Sequence, residues 1–130
     1  MRRLGIFSLT AAALVVIESG VEIVLGLDST ASLPALFARG LVCALAGYAI
    51  TRRKADDLFV APFLVCGAEF VSLSISDFVV IMAGARGAMR PPGFSFEQFM
   101  FTTMGLPAMA SLAGASVAFV LARRVAAQQG

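Results

Sequence analysis

Charged residues that interrupt otherwise apolar stretches are the residues whose types could support chemistry in this chain. They are four acids and one base: Glu18, Glu22, Arg39, Glu69 and Asp77. Carboxyl groups one helical turn apart in a medium of low dielectric cannot both ionise cheaply, so we expect at least one glutamate to carry a proton near neutral pH. A mixture of ionised and protonated carboxyl groups is used both by acid–base catalysis and by proton coupling.

The composition around these charges is typical of a membrane protein. Of the 130 residues, 59% are hydrophobic and 14% are charged, whereas soluble domains have about 25% charged residues. A soluble fold of this size could not bury so much apolar surface, so lipid must cover part of it. We therefore predict a single all-α transmembrane domain spanning residues 1–130, in a bacterial-type cytoplasmic membrane.

Several function classes are excluded by what the sequence lacks. The chain has no histidine, and Cys43 and Cys66 lie in apolar runs without CxxC spacing. This pattern predicts two buried thiols and no metal site. The net charge is only +2, with the basic residues in short clusters, so we expect no nucleic-acid surface. No nucleotide-binding loop is present, and we expect no cofactor.

Four apolar segments are long enough to cross a bilayer as helices, which requires about 20 residues each. The predicted spans are 4–27, 33–51, 58–83 and 99–122, with a loop at 84–98 between the last two. Small residues are abundant in these segments, and small residues allow helices in lipid to pack closely. An up-down-up-down four-helix bundle is the assembly that we predict.

The placement of lysine and arginine predicts the orientation of the bundle, because cytoplasmic loops carry an excess of both. One side would hold Arg2, Arg3, Arg52, Arg53, Lys54, Arg123 and Arg124, whereas the other would hold Arg86 and Arg90. Both termini are therefore predicted to be cytoplasmic, and the 84–98 loop is predicted to face outward.

The intramembrane charges are predicted to form a descending ladder in the outer half of the bundle. At 1.5 Å rise per residue, Glu22 lies ~8 Å and Glu18 ~13 Å below the outer boundary. Arg39 and Asp77 both lie ~10 Å deep, and Glu69 lies ~21 Å deep, near the midplane. We expect Arg39 to pair with one or two of Asp77, Glu22 and Glu18.

The helical faces that carry these charges should point inward, because a charge at the bilayer centre costs at least ~2.5–3.5 kcal/mol. Ser72 and Ser76 share the face of Glu69, and Asp77 lies about 80° to its side at 100° per residue. A weaker small and polar stripe follows on the fourth span: Thr103, Pro107, Ser111 and Gly114. We predict Glu18, Glu22 and Glu69 as functional carboxyls, with Arg39, Asp77, Ser72 and Ser76 orienting them or the substrate.

The loop between the third and fourth spans, GARGAMRPPGFSFEQFMF (84–101), combines arginines with phenylalanines. One interpretation is an interfacial anchor, since aromatic residues favour the headgroup level. The other interpretation is a lid whose side chains, Phe94 and Phe96 among them, close the mouth of the polar cavity and contact the substrate.

The second span ends in a basic cluster, GLVCALAGYAITRRK (40–54), and another apolar helix follows. This layout resembles the small bacterial DoxX-like membrane proteins. The resemblance implies a four-helix membrane fold and carries over no site residue.

Three functions fit these features. The first is a membrane-embedded enzyme in which carboxyl groups isomerise, cyclise or open an epoxide of a lipophilic small molecule, without a cofactor. The second is a non-catalytic subunit of a larger membrane complex. The third is a proton-coupled transporter, as a homo-oligomer, with Glu69 as the coupling site. An open cavity lined by Glu18, Glu22 and Glu69 would favour the enzyme, whereas acids fully paired inside tight helix contacts would argue against it.

Overall fold

The computed structural model describes residues 2–26, 32–53, 58–84 and 95–129, which form four long helices. The first, α1, is α-helical over Arg2–Gly20 and continues as a π-helical turn at Val21–Leu25. The second and third, α2 and α3, span Leu33–Arg53 and Val60–Met82. The fourth, α4, comprises Phe96–Met100, a π-helical turn at Phe101–Gly105, and Leu106–Gln129.

The length and apolar composition of all four helices would allow each to cross a membrane, as the sequence predicted. Their outer faces are strongly apolar, with large side chains such as Val16, Phe37 and Phe63 exposed. In water such surfaces would drive association, whereas in a bilayer lipid covers them. The all-helical, membrane-compatible part of the fold prediction is therefore confirmed.

The fourth helix begins earlier than the predicted span because Ser95 caps it. The Ser95 hydroxyl accepts from the Gln98 backbone N–H at 3.2 Å, and the Gln98 side chain accepts from the Ser95 N–H at 2.8 Å. This reciprocal capping box satisfies two backbone donors at the helix start. It extends the helix to Phe96, a residue that the sequence analysis assigned to the loop.

The two π-helical turns lie in regions that carry the polar residues. In α1 the turn contains Glu22 and ends at Gly26, whose φ of 68° closes the helix in the left-handed conformation. In α4 the turn precedes Pro107, which has no N–H to donate to the Thr103 carbonyl. Wide turns of this kind are frequent at functional sites because they redirect backbone and side-chain groups.

The helices pack around the bundle in the order α1, α2, α4, α3, with α1 and α4 at opposite corners. The contact between α2 and α4 is the most extensive, and two glycines make it close. A Cβ on Gly47 would overlap the Ser111 carbonyl, and a Cβ on Gly114 would overlap the Ala44 carbonyl. Glycine at both positions therefore lets the two backbones touch.

An apolar core fills the part of the bundle toward the start of α1. Its buried members come from all four helices: Leu14, Cys43, Ala46, Ile50, Ala61, Val65 and Ala115. Near the start of α1, the Arg2 guanidinium donates to the carbonyls of Ala49 and Ile50, the latter at 3.0 Å. Those carbonyls belong to the last turns of α2, where helix carbonyls lack partners within the helix.

Candidate functional site

A buried cluster of two acids and one arginine joins α1, α2 and α3. The Arg39 guanidinium pairs with the Glu69 carboxyl group through Nη2, and its Nε lies 3.6 Å from Glu18 Oε1. Glu18 and Glu69 are 0% exposed and Arg39 is 1% exposed. Charges this deeply buried are tolerated only when they are paired, so the cluster also constrains how the three helices pack.

Two serines of α3 hold the Glu18 carboxyl group. Ser76 donates to Glu18 Oε2 at 3.0 Å, and the Ser72 hydroxyl lies 3.2 Å from Glu18 Oε1 and 2.8 Å from the Glu69 backbone carbonyl of its own helix. Both serines are buried, and they lie four residues apart on one face of the helix. Each oxygen of Glu18 therefore lies within hydrogen-bond distance of a serine hydroxyl across the contact between α1 and α3.

The π-helical turn of α4 supplies a backbone acceptor to the cluster. Arg39 Nη2 donates to the Thr102 carbonyl at 3.0 Å. A π-helical turn takes backbone groups out of the regular α-helical pattern, so a carbonyl there can accept from a side chain instead. Through this bond Arg39 contacts all three of the other helices.

The pairing of Arg39 agrees with the prediction for Glu18 and differs from it for Glu69. The sequence analysis expected Asp77, Glu22 or Glu18 as partners and placed Glu69 ~11 Å deeper by counting residues from the helix ends. The structure pairs Arg39 with Glu18, as predicted, and also with Glu69, which was not expected. The counting failed because it located Cα atoms, whereas an arginine side chain is long enough to carry its guanidinium well away from its own backbone.

Asp77 does not join the cluster, which corrects the prediction that its face points inward. Its side chain is exposed on the outside of α3, whereas the preceding residue, Ser76, is 3% exposed. One residue corresponds to a rotation of 100°, so an inward Ser76 leaves Asp77 outside. Eight residues earlier, Glu69 points into the bundle.

The other predicted site residues occupy different surroundings. Glu22 is half-buried in the π-helical turn of α1, one turn beyond Glu18. Phe96 is 75% exposed at the start of α4, so it does not cover the cluster as a lid residue would. Phe94, the other predicted lid residue, lies outside the described residues.

The polar stripe predicted on α4 faces the interior. Thr103, Pro107 and Ser111 are buried, and Gly114 touches α2. The residue missed by sequence reasoning is Thr102, because its contribution is a backbone carbonyl that only the π-helical turn makes available. The sequence signal was Thr102 itself, which precedes Gly105 by three residues and Pro107 by five.

The cluster contains two acids, Glu18 and Glu69, and one base, Arg39. Glu69 Oε2 is buried and has no hydrogen-bond partner within the part of the chain that the structure describes. An unsatisfied carboxyl oxygen in an apolar interior is costly unless it gains a proton or a donor. The arrangement can therefore hold one proton or one hydrogen-bond donor beside Glu69 while the Arg39 guanidinium stays in place.

Two cavities bordered by the described residues lie toward the start of α1, and neither is lined by these acids. One of about 280 Å³ is lined by Arg2, Ile6, Ala49 and Arg52. An adjoining one of about 320 Å³ follows the groove between α1 and α2 and shares Ile6 and Ala49 with it. Their linings are apolar apart from the two arginines and a threonine, and they include no carboxyl group.

No protein-family model matches the chain, and neither a curated protein nor a solved structure matches it. The resemblance to DoxX-like proteins accordingly stays a prediction about the fold.

Proposed function

We propose that the protein is a non-catalytic subunit of a larger membrane complex, an up-down four-helix bundle with both termini on the cytoplasmic side. In this role the buried acid–arginine cluster holds the bundle together, and the exposed face of α3 that carries Asp77 contacts a partner. The observation that carries the proposal is an exposed carboxyl group on the outer surface of a membrane-spanning helix.

The proposed topology is supported by contacts near both ends of α1. Arg2 bonds to carbonyls at the end of α2, and Glu18 lies beside Arg39 near its beginning, as antiparallel neighbours would. Ser72 and Ser76 of the later part of α3 meet Glu18 in the later part of α1, as alternating directions require. The orientation is supported by the excess of arginine and lysine near the termini and the connection between α2 and α3.

The position of Asp77 supports a protein partner. It precedes the end of α3 at Met82 by five residues, roughly 8 Å at 1.5 Å per residue, and the residues between are apolar. Ionisable residues within membrane segments almost always face protein or water, because lipid does not solvate them. Asp77 makes no hydrogen bond or ion pair with the residues that the structure describes, so none of these residues satisfies its carboxyl group.

The surroundings of Asp77 indicate what the partner presents. Ser74 and Ile81 are exposed on the same side of α3, at helical spacings of three and four from Asp77, and the adjacent Phe78 is exposed as well. A partner helix would need an arginine, a lysine or a hydroxyl opposite Asp77 and apolar side chains around it. A two-fold contact between copies centred on Asp77 would bring two carboxylates together, so a different chain fits this surface better.

The closed state of the cluster supports a non-catalytic role. Glu18 accepts from two serines, both acids contact Arg39, and the exposure of all three charged side chains is 1% or less. A catalytic acid must come within hydrogen-bond reach of its substrate. In the conformation that the structure describes, these enclosed side chains contribute to helix packing and are not open to a substrate.

Site-specific photo-crosslinking tests the proposal. A photoreactive amino acid would replace Ser74, beside Asp77, and in a matched control it would replace Val16, which is 71% exposed on α1. We expect one discrete protein adduct from position 74 in native membranes, none from position 16, and loss of the adduct in the Asp77→Leu background. Lipid adducts alone at both positions, or an adduct of two copies of this chain, would contradict the proposal.

An enzyme acting on a lipophilic molecule is the second candidate, and Glu69 Oε2, which has no hydrogen-bond partner among the described residues, favours it. A substrate carbonyl, alkene or epoxide reaching this atom would meet a carboxyl group held beside an arginine, and a protonated Glu69 could act as a general acid. The bundle would have to open between α1 and α3 for a substrate to arrive.

Identification of co-purified lipophiles by mass spectrometry tests this second candidate. If Glu69 binds a substrate, Glu69→Gln should change which lipophile is retained, whereas Asp77→Asn, an acid-to-amide change on the outside of the same helix, should not. The same retained molecules in all three proteins would rule the enzyme out.

A further inference from the structure

The end of the bundle opposite the acid cluster has an apolar groove that finishes at two arginines. We propose that this groove binds an anionic phospholipid, with the phosphate at Arg2 and Arg52 and one acyl chain between α1 and α2. This site is separate from the exposed α3 face proposed to bind a protein.

The arginines give the site its charge. Arg2 and Arg52 line one cavity of about 280 Å³ together with Ile6 and Ala49, and no acid belongs to that lining. Two of the five N–H donors of a guanidinium suffice for the bonds from Arg2 to the α2 carbonyls, which leaves donors for a phosphate. Arg52 is exposed and can turn toward the same anion. Paired guanidinium groups suit phosphate oxygens.

The groove continues from this charged end into the apolar part of the bundle. It has a volume of about 320 Å³ and is lined by Leu9, Ala13, Val42 and Leu45 as well as Ile6 and Ala49. From Ile6 to Ala13 the helix rises roughly 10 Å, about two turns. Alanines on both helices keep it open, since larger side chains at Ala13 and Ala49 would fill it.

The dimensions and charge favour a lipid over a protein segment. A helix with side chains is about 10–12 Å wide and could not enter a groove of this volume. A single acyl chain is narrow enough, and the arginines lie where its headgroup would be. In the proposed orientation this end faces the cytoplasmic leaflet, where basic pockets between helices bind anionic headgroups.

Native mass spectrometry of the full chain in detergent tests the site. The protein would be titrated with phosphatidylglycerol and with phosphatidylcholine carrying the same acyl chains. We expect one phosphatidylglycerol to be retained at concentrations at which phosphatidylcholine is not. Arg52→Gln should weaken retention about fivefold, and Arg2→Gln with Arg52→Gln about 25-fold, since each juxtamembrane arginine contributes roughly one such factor.

Two further variants keep the test specific. Arg124→Gln removes the same charge from an exposed residue near the end of α4 and should leave retention unchanged. Ala13→Phe fills the groove without changing the charge, so it should reduce retention of phosphatidylglycerol. Glycerol phosphate, which has no acyl chain, should bind weakly to every variant. Equal retention of the two lipids, or an Arg124→Gln loss equal to that of Arg52→Gln, would overturn the proposal. A melting temperature for each variant separates lost binding from lost folding.

Discussion

Glu69 and Asp77 belong to the same helix and have the same chemistry, yet their surroundings are opposite. Glu69 is 0% exposed and pairs with Arg39, whereas Asp77 is exposed on the outer surface. Among the residues that the structure describes, the inner acid has an ion-pair partner and the outer acid has none. An acid inside a membrane segment therefore indicates either internal packing or an external contact, and only the rotation of its helix decides which.

Removal of the shared cation should produce the largest effect and should act on the inner acids alone. Arg39→Leu leaves Glu18 and Glu69 buried without their partner, so the free energy of unfolding should fall by about 3–5 kcal/mol. Denaturant titration in detergent micelles measures it, with Arg124→Leu as the exposed control. A loss below about 1 kcal/mol would show that the cluster does not hold the bundle together.

Simultaneous replacement of all three charges should recover most of that loss. In a Glu18→Leu, Arg39→Met, Glu69→Leu variant no charge stays buried, and apolar replacements of buried ion pairs are often neutral or stabilising. We expect the free energy of unfolding to return to within about 1 kcal/mol of the wild-type value in the same titration. A triple variant as unstable as Arg39→Leu would show that the polar contacts themselves specify the packing.

Loss of one serine hydroxyl should have a moderate effect. Ser76→Ala removes a hydrogen bond to a buried carboxyl group and should reduce the free energy of unfolding by roughly 0.5–2 kcal/mol. Ser74→Ala is the matched control, because Ser74 is exposed and bonds only to the Phe70 carbonyl of its own helix. In a Glu18→Gln background the effect of Ser76→Ala should shrink if the two groups are coupled.

The smallest effect should come from the outer acid when the subunit is isolated. Asp77→Asn should change the free energy of unfolding in detergent by no more than about 0.5 kcal/mol, since exposed substitutions rarely do more. Glu69→Gln in the same assay should cost clearly more, because Arg39 loses a charged partner. Equal losses for the two variants would remove the distinction between the inner and outer acids.

The sequence was sufficient for the helices and for part of the cluster. Span length and hydrophobicity predicted four helices, the first three to within a few residues. The fourth helix starts three residues earlier than predicted because of the Ser95 cap, and it ends seven residues later, at Gln129, because a helix can continue beyond the apolar segment that was counted. The spacing of Glu69, Ser72 and Ser76 correctly indicated one inward face. Helical periodicity alone does not define how wide the inward face is. Asp77 lies about 80° from Glu69 around the helix axis, and it was therefore assigned to the wrong side.

Other features depend on geometry that residue types do not encode. The reach of the Arg39 side chain decided that Glu69 would be its partner. The π-helical turn at Phe101–Gly105 decided that the Thr102 carbonyl would accept from Arg39. The order of helices around the bundle follows from tertiary packing, and apolar helices of similar composition leave several orders open.

The close glycine contact between α2 and α4 has a consequence for how the bundle can move. Because Gly47 and Gly114 bring the two backbones together, sliding one helix along the other would drive side chains into the opposing main chain. The pair α2 and α4 should therefore move as one rigid body. An opening between α1 and α3 would then move at least one of these two helices relative to this body, and the Arg39 contacts with Glu18 and Glu69 join the body to both of them.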